Sequence, residues 1–208
     1  MQKKGTSPSH DKDLWYRFAL RKGFELKHSK GAEAVQRISG KVFRQDWSGN
    51  PAAVAPPAGA VVVAGRSNGL KVEMDTVVVK NVWLFTQTVY TRASMELSDA
   101  PSDLVVASPH RISLLSRILS HYIMKTGNEV FDTEFAVMSS TPDAVGKYLT
   151  RERQLLLLDA RAEGDVQIHD QKVYLIRKGR VETMEEAEDL FTNIETLGRR
   201  MQRGLQEG

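Results

Sequence analysis

The chain has 208 residues, 41% of them hydrophobic and 26% charged, a balance typical of folded globular proteins and far from that of wholly disordered ones. It contains no cysteine, which excludes disulfides, thiolate nucleophiles and cysteine-ligated zinc, and no apolar run approaches the roughly 18 residues that span a bilayer. The net charge of +3 is mild but unevenly placed, with an excess of Lys and Arg over residues 1–44 and a strongly acidic stretch from Glu182 to Glu195.

A basic end is the footprint of an anionic partner, or of a solvated helix flank. The start, Met1 to Gly5, carries positive charge, but the polar residues after it supply no apolar segment of an export signal. With the lack of cysteine, this predicts a cytoplasmic protein.

In chain order, residues 1–12 read as a disordered leader and residues 13–208 as a single α+β domain. Asp13 is placed to cap a helix whose apolar stripe is Leu14, Trp15, Phe18 and Ala19, with Arg17, Arg21 and Lys22 between and Gly23 closing it. Residues 35–47 alternate loosely, as the first member of a strand pair would. Residues 48–59 are rich in Pro, Gly and Ala and carry no charge, the composition of a loop. Loops of that length in compact domains are frequently functional or disordered.

The chain then turns to β structure. Ala60 to Ala64 and Leu70 to Val79 flank Asn68-Gly69, the pair that best tolerates a two-residue hairpin turn. A long extended run follows from Val82 to Leu97. Alternation there puts Val89, Thr91, Ala93, Met95 and Leu97 on one face and Tyr90, Arg92, Ser94 and Glu96 on the other. A short buried strand is expected at Leu104–Ala107. Ser108-Pro109 is expected to open a helix, with an apolar stripe from Ile112 to Ile123 and Gly127 ending it. Val130 to Met138 reads as a strand with Phe131, Phe135 and Val137 inward. Thr141-Pro142 and Thr150 start two further helices, and residues 165–169 and 172–177 form a hairpin across Asp170-Gln171. In the last helix Thr183 and Glu186 have capping-box spacing, and Ala187, Leu190, Ile194, Leu197 and Met201 recur at helical period. The fold class expected is α+β: a mostly antiparallel sheet of six to eight strands, strands first and helices later, covered by helices and closed by a long C-terminal amphipathic helix.

Signals for chemistry are few. No two of the five histidines stand three or four residues apart, so no local metal site is indicated. Read as a strand, residues 130–138 send Asp132 and Glu134 to one face, a pair able to do acid–base work or hold a divalent cation. A strand with one wet face gives the same pattern, and a short carboxylate near Gly127-Asn128 can instead accept from backbone N–H groups. Gly65 to Gly69 matches neither phosphate-loop fingerprint, and no G-x-S-x-G occurs. Tyr90 and Arg92 share a strand face, with Trp83 upstream, a thin basis for nucleic-acid stacking. The first helix, with Trp15 and Phe18 among Arg17, Arg21 and Lys22, fits an anionic membrane surface, and equally fits docking onto its own core.

The strings Gly65 to Val72, Tyr90 to Leu97, Thr126 to Phe135 and Val173 to Gly179 resemble, in that order, a loosely defined group of bacterial proteins carrying a domain of unknown function. The resemblance covers about Asp13 to Leu205, with the Pro/Ala loop as an insertion. It implies a bacterial origin and a shared fold, and no site residues.

The favoured expectation is a non-catalytic protein-interaction or scaffold module of a bacterial cytoplasmic assembly, with another protein or a second copy as partner and no cofactor. Two others stand beside it. One is a metal-dependent hydrolase built on Asp132, Glu134 and a distant histidine such as His110 or His121. The other is a nucleic-acid or anionic-lipid binder using the basic N-terminal third. Interaction candidates are Trp15, Arg17, Phe18, Arg21, Lys22, Tyr90, Arg92, Asp132 and Glu134.

Overall fold

The computed structural model describes residues 8–29, 51–52, 54–81, 86–111 and 123–203. Among these, nine strands form one antiparallel sheet: β1 (Glu25–His28), β2 (Val61–Ser67), β3 (Leu70–Asn81), β4 (Thr86–Glu96), β5 (Val105–Ala107), β6 (Ile123–Met124), β7 (Ala136–Met138), β8 (Asp165–His169) and β9 (Lys172–Lys178). Their spatial order is β1-β2-β3-β4-β9-β8-β5-β7-β6. Five α-helices complete the described chain: α1 (Pro8–Lys22), α2 (Glu129–Glu134), α3 (Pro142–Tyr148), α4 (Arg151–Ala160) and α5 (Met184–Arg203). The fold is α+β, as the pattern of the sequence predicts.

Turn chemistry sets the registers. The β2–β3 hairpin turns on Asn68 (φ 51°) and Gly69 (φ 81°), and the β8–β9 hairpin on Asp170 (φ 49°) and Gln171 (φ 55°). Paired left-handed residues are what a two-residue turn needs if it is to match the twist of its strands. The first tip is also held to α5, where Glu195 Oε1 accepts from Asn68 Nδ2 at 2.7 Å and from Ser67 Oγ.

Four expectations need correction. The sheet has nine strands, not six to eight, and its last four helices are interleaved with strands β6 to β9. Helix α1 begins at Pro8, so Asp13 lies inside it instead of capping it, and part of the expected leader is helical. Val130 to Met138 is not one strand, because its first half is helix α2 and only Ala136–Met138 is β7. Local polar groups decide this last case. Asn128 caps α2 by accepting from Phe131 N at 3.4 Å. Asp132 reaches back to accept from Thr126 N (2.9 Å), Thr126 Oγ1 (2.9 Å) and Gly127 N (3.3 Å). These bonds close a helical turn, and Phe131 and Phe135 still reach the core, with ring centroids 4.8 Å apart. The helix expected to run through Ile123 to Gly127 does not reach that far, because Ile123 and Met124 pair with β7 as strand β6; its residues 112–122, with residues 35–47, Trp83 and His121, lie outside the described residues.

Helices α1, α4 and α5 cover one face of the sheet. The stripe foreseen on α5 is buried there, from Ala187 to Met201, and the capping box is formed: Thr183 Oγ1 accepts from Glu186 N at 3.2 Å, and Glu186 Oε2 accepts from Thr183 N at 3.3 Å. The helix lies close to β4. A Cβ added at Gly198 would sit 2.8 Å from Met95 Cγ and closer still to its sulfur. Met95 is fully buried, so it has little room to yield. The opposite face carries a smaller apolar cluster of Ala52, Val77, Tyr90, Tyr174 and Ile176. In consequence β4 is buried on both faces from Tyr90 to Met95.

Gly198→Ala is therefore expected to destabilise the fold by about 1–3 kcal/mol through overpacking, despite the higher helix propensity of alanine. Urea denaturation measures this; a variant as stable as the parent would show that α5 and β4 are not in tight contact.

Candidate functional site

The most densely bonded polar cluster on the second face of the sheet is built on Arg92. Register places Asp75 of β3 opposite Arg92 of β4. Arg92 Nε and Nη2 donate to the two carboxylate oxygens at 2.6 and 2.9 Å. Nη1 donates to three carbonyls of the Pro/Ala loop: Pro51 (2.7 Å), Ala52 (3.1 Å) and Val54 (2.8 Å). Both side chains are buried. Burial disfavours the guanidinium charge, but the charge and hydrogen bonds of Asp75 outweigh it and raise the Arg92 pKa. The ring of Tyr174 lies 5.6 Å from the guanidinium carbon, and burial pushes the Tyr174 phenol up to about 12. On the same face Glu73 accepts from Lys172 at 2.5 Å and pairs with Lys71 at 3.1 Å. Burial opposes ionisation of Glu73, yet these two lysines hold its pKa below the usual range. The arrangement fastens a loop to a sheet.

A second buried guanidinium, that of Arg153 on α4, joins distant elements in the same way. It donates to Met201 O (2.8 Å), Tyr148 O (2.9 Å) and Asp99 Oδ2 (2.6 Å), and stacks on the Tyr148 ring at 4.1 Å. Asp103 fastens the turn after β7 to the entry of β5. It accepts from Ser140 Oγ (2.5 Å), Ser140 N (2.6 Å), Ser139 Oγ (2.9 Å) and Thr141 Oγ1 (3.0 Å). These bonds, with that from the Ser140 hydroxyl first, hold its pKa well below the usual carboxylate range.

The residues singled out in the sequence are not brought together. Trp15 and Phe18 are buried, 2% and 0% exposed, in a ring cluster with Phe24 and Phe191. Lys22 lies over Phe191 at 4.7 Å and Arg21 pairs with Glu188 at 2.5 Å, so both link α1 to α5. Arg17 is exposed on the outer side of α1 beside Tyr16 and Leu20, two residues that sequence reasoning passed over. Tyr90 and Arg92 do share a face, but it is a covered one. Asp132 holds its own turn, and Glu134 pairs with Arg161 at 2.7 Å. The pair therefore does not form the strand-face site expected of it. His110 is exposed in a 3₁₀ turn, Pro109–Arg111, and His169 lies beside Asp170 at 3.1 Å. Among the described residues no three His, Asp or Glu cluster as metal ligands would. Asp75, Asp99 and Arg153 were missed because their roles arise from pairing across strands and helices far apart in sequence.

No family model and no curated protein matches the chain. Among solved structures, the crystal structure of the mycobacterial trehalose monomycolate transport factor A, TtfA, is similar, with a TM-score of 0.53 over 94% of this chain and 96% of that one, at 11% identity. A likeness at that identity is one of fold, and fold does not carry function.

Two outcomes are expected from this geometry. Arg92→Met should cost about 3–5 kcal/mol, because it strands a buried carboxylate, and should expose the 51–54 segment to limited proteolysis. Adding Asp75→Leu should recover part of that loss in a double-mutant cycle, and strict additivity would show that the pair does not interact. Asp103, with its depressed folded pKa, contributes stability that is present above its unfolded pKa of about 3.9 and is lost as pH falls through the lower folded value. The stability gap between the parent and Asp103→Asn should therefore narrow below about pH 4. Thermal melts across that range would refute this if the gap stayed constant.

Proposed function

We propose that this protein is a non-catalytic interaction module, an accessory or scaffold component of a bacterial cytoplasmic assembly, and that it docks a protein partner through the outer side of α1. The observation that carries the reading is the exposure of Tyr16 (55%) and Leu20 (65%) on that helix. Residues four apart on a helix stand side by side, so the two form one apolar strip. Arg17 lies next to it and is exposed as well. The inner side of the same helix is buried to within 2% at Leu14, Trp15, Phe18 and Ala19. The strip is thus presented by a helix that is already anchored, and docking needs no folding step. An exposed Tyr beside an Arg is the composition of an interface anchor, and it suits a partner with an apolar patch edged by carboxylates.

Two further points support the reading. The buried charges, Arg92 with Asp75 and Arg153 with Asp99, are paired in structural roles. The shared fold with a transport factor is compatible with an accessory part in a larger assembly.

The test is co-purification from the native host of the parent and the Tyr16→Ala/Leu20→Ala variant, with melting curves of both. The parent should retain a partner in fixed stoichiometry, and the variant should lose it at unchanged melting temperature, its affinity falling by about tenfold or more. A parent that sediments as a monomer with no stoichiometric partner, or a partner kept equally by the variant, would overturn the proposal.

A further inference from the structure

Where β2 and β3 run past the N-terminal half of α1, the first face of the sheet carries a cleft of about 250 Å³. Its floor is Val61, Thr76 and Val78, which alternation places on the same face as the buried Val63 and Met74. Lys12 of α1 stands at one wall, and the end of the Pro/Ala loop, Pro57 to Ala60, forms the rim. These surfaces are open to contact: Val61, Val78 and Ala60 are half-buried, and Lys12, Pro57 and Ala58 are exposed. The rim is tied down. Ala60 N donates to Pro57 O at 3.0 Å, Gly59 N to Ser29 O at 2.9 Å, and Ser29 Oγ to Pro56 O at 3.0 Å.

Size and position decide what fits. Pockets that take a whole small molecule run to roughly 300–1,000 Å³ and enclose most of it, whereas an apolar cavity of roughly 150 Å³ holds one benzene ring. The cleft falls between the two, with room for one aromatic side chain and its linking carbon. It also adjoins the apolar strip of α1. Lys12, Tyr16 and Leu20 follow one another at four-residue steps, so they form one row along the helix at about 6 Å per step. Alternate side chains of an extended chain stand about 7 Å apart, which matches that row. Charge selects further. Lys12 and Arg17 are exposed beside the row and have no ion-pair partner among the described residues. No Asp or Glu lines the cleft, and Asp13 is the single carboxylate among the side chains described on α1, against Lys12, Arg17, Arg21 and Lys22.

Resting on the reading that a protein docks on this side of α1, we propose that the partner presents a short acidic segment, bound extended, whose anchor is one aromatic side chain seated in the cleft on Val61 and Val78. The next alternate side chain lies on Tyr16 and the one after it on Leu20. Carboxylates between them are met by Lys12 and Arg17, whose long side chains flank the row. A single aromatic anchor in a formed pocket is where interface energy concentrates, and a rim already held in place spares the partner the cost of ordering it.

The probe is the peptide acetyl-Glu-Phe-Glu-Leu-Glu-Leu-Glu-amide, titrated into the full chain with its valine methyls isotopically labelled for NMR. Saturable binding is expected, with a dissociation constant of about 1 mM or tighter, and with Overhauser contacts from the phenyl ring to the methyls of Val61 and Val78. Replacing the peptide's Phe with Ala should weaken it about tenfold or more, and replacing its four Glu with Gln should do the same at low salt. Lys12 and Arg17 are exposed, so Lys12→Glu/Arg17→Glu should melt at the parent's temperature and lose the peptide to a like extent. The proposal is overturned by the absence of saturable binding, by equal affinity of the Ala or the Gln peptide, or by a phenyl ring that does not touch Val61 and Val78. Binding abolished by Tyr16→Ala/Leu20→Ala, with the ring away from those valines, sinks the cleft and leaves the docking strip standing. A co-purified partner indifferent to Tyr16→Ala/Leu20→Ala removes the strip itself.

Discussion

A guanidinium under a loop at the centre of a sheet is tolerable only when every N–H it turns inward finds an acceptor and its charge finds a counter-charge. Asp75 supplies the charge for Arg92, with both carboxylate oxygens engaged, and three loop carbonyls take the remaining Nη1. Those carbonyls belong to a segment whose prolines lack N–H groups and whose composition gives it no secondary structure to join. Arg92 thus serves two needs together, its own burial and acceptance at the carbonyls of Pro51, Ala52 and Val54. The consequence extends across the sheet. With the second face covered over β3, β4 and β9, Tyr90, Tyr174 and Ile176 lie in an apolar environment, and β4 becomes a strand buried on both sides.

This is why periodicity read the second half of β4 correctly and its surroundings incompletely. The alternation of Tyr90, Arg92 and Ser94 against Thr91, Ala93 and Met95 is a local property of an extended chain. Which faces are dry depends on residues 51–54 and on the α5 face, far away in sequence. Likewise the hairpins at Asn68-Gly69 and Asp170-Gln171, the capping box at Thr183 and the cap at Thr150 were legible, because each is decided within a few residues. The strand reading of residues 130–134 failed for a physical reason of the same kind. A period-2 pattern of six residues fits α2 almost as well, and the bonds from Asp132 back to Thr126 and Gly127 outweigh it. The pairing of Arg92 with Asp75 was illegible, since it is set by the register of β3 against β4.

The distribution of polar groups bears on function through what is left over. Arg153 ties α4 to the last turn of α5 and to the turn after β4. Asp103 ties β5 to the start of α3, and Arg177 ties β9 to Asp189 of α5 at 2.7 Å. Each of these charges joins elements, and each has partners that specify one geometry. Such pairs contribute little net stability compared with apolar residues of similar size, but they penalise alternative packings heavily. A framework fixed in this way holds its elements in one arrangement.

Helix α1 is held on one side and exposed on the other. Its inner face is set by the rings of Trp15, Phe18, Phe24 and Phe191, whose edge-on contacts fall between 5.6 and 6.5 Å. Its outer face carries the exposed Tyr16 and Leu20. A helix anchored by four rings and by the Arg21–Glu188 pair has little freedom to tilt.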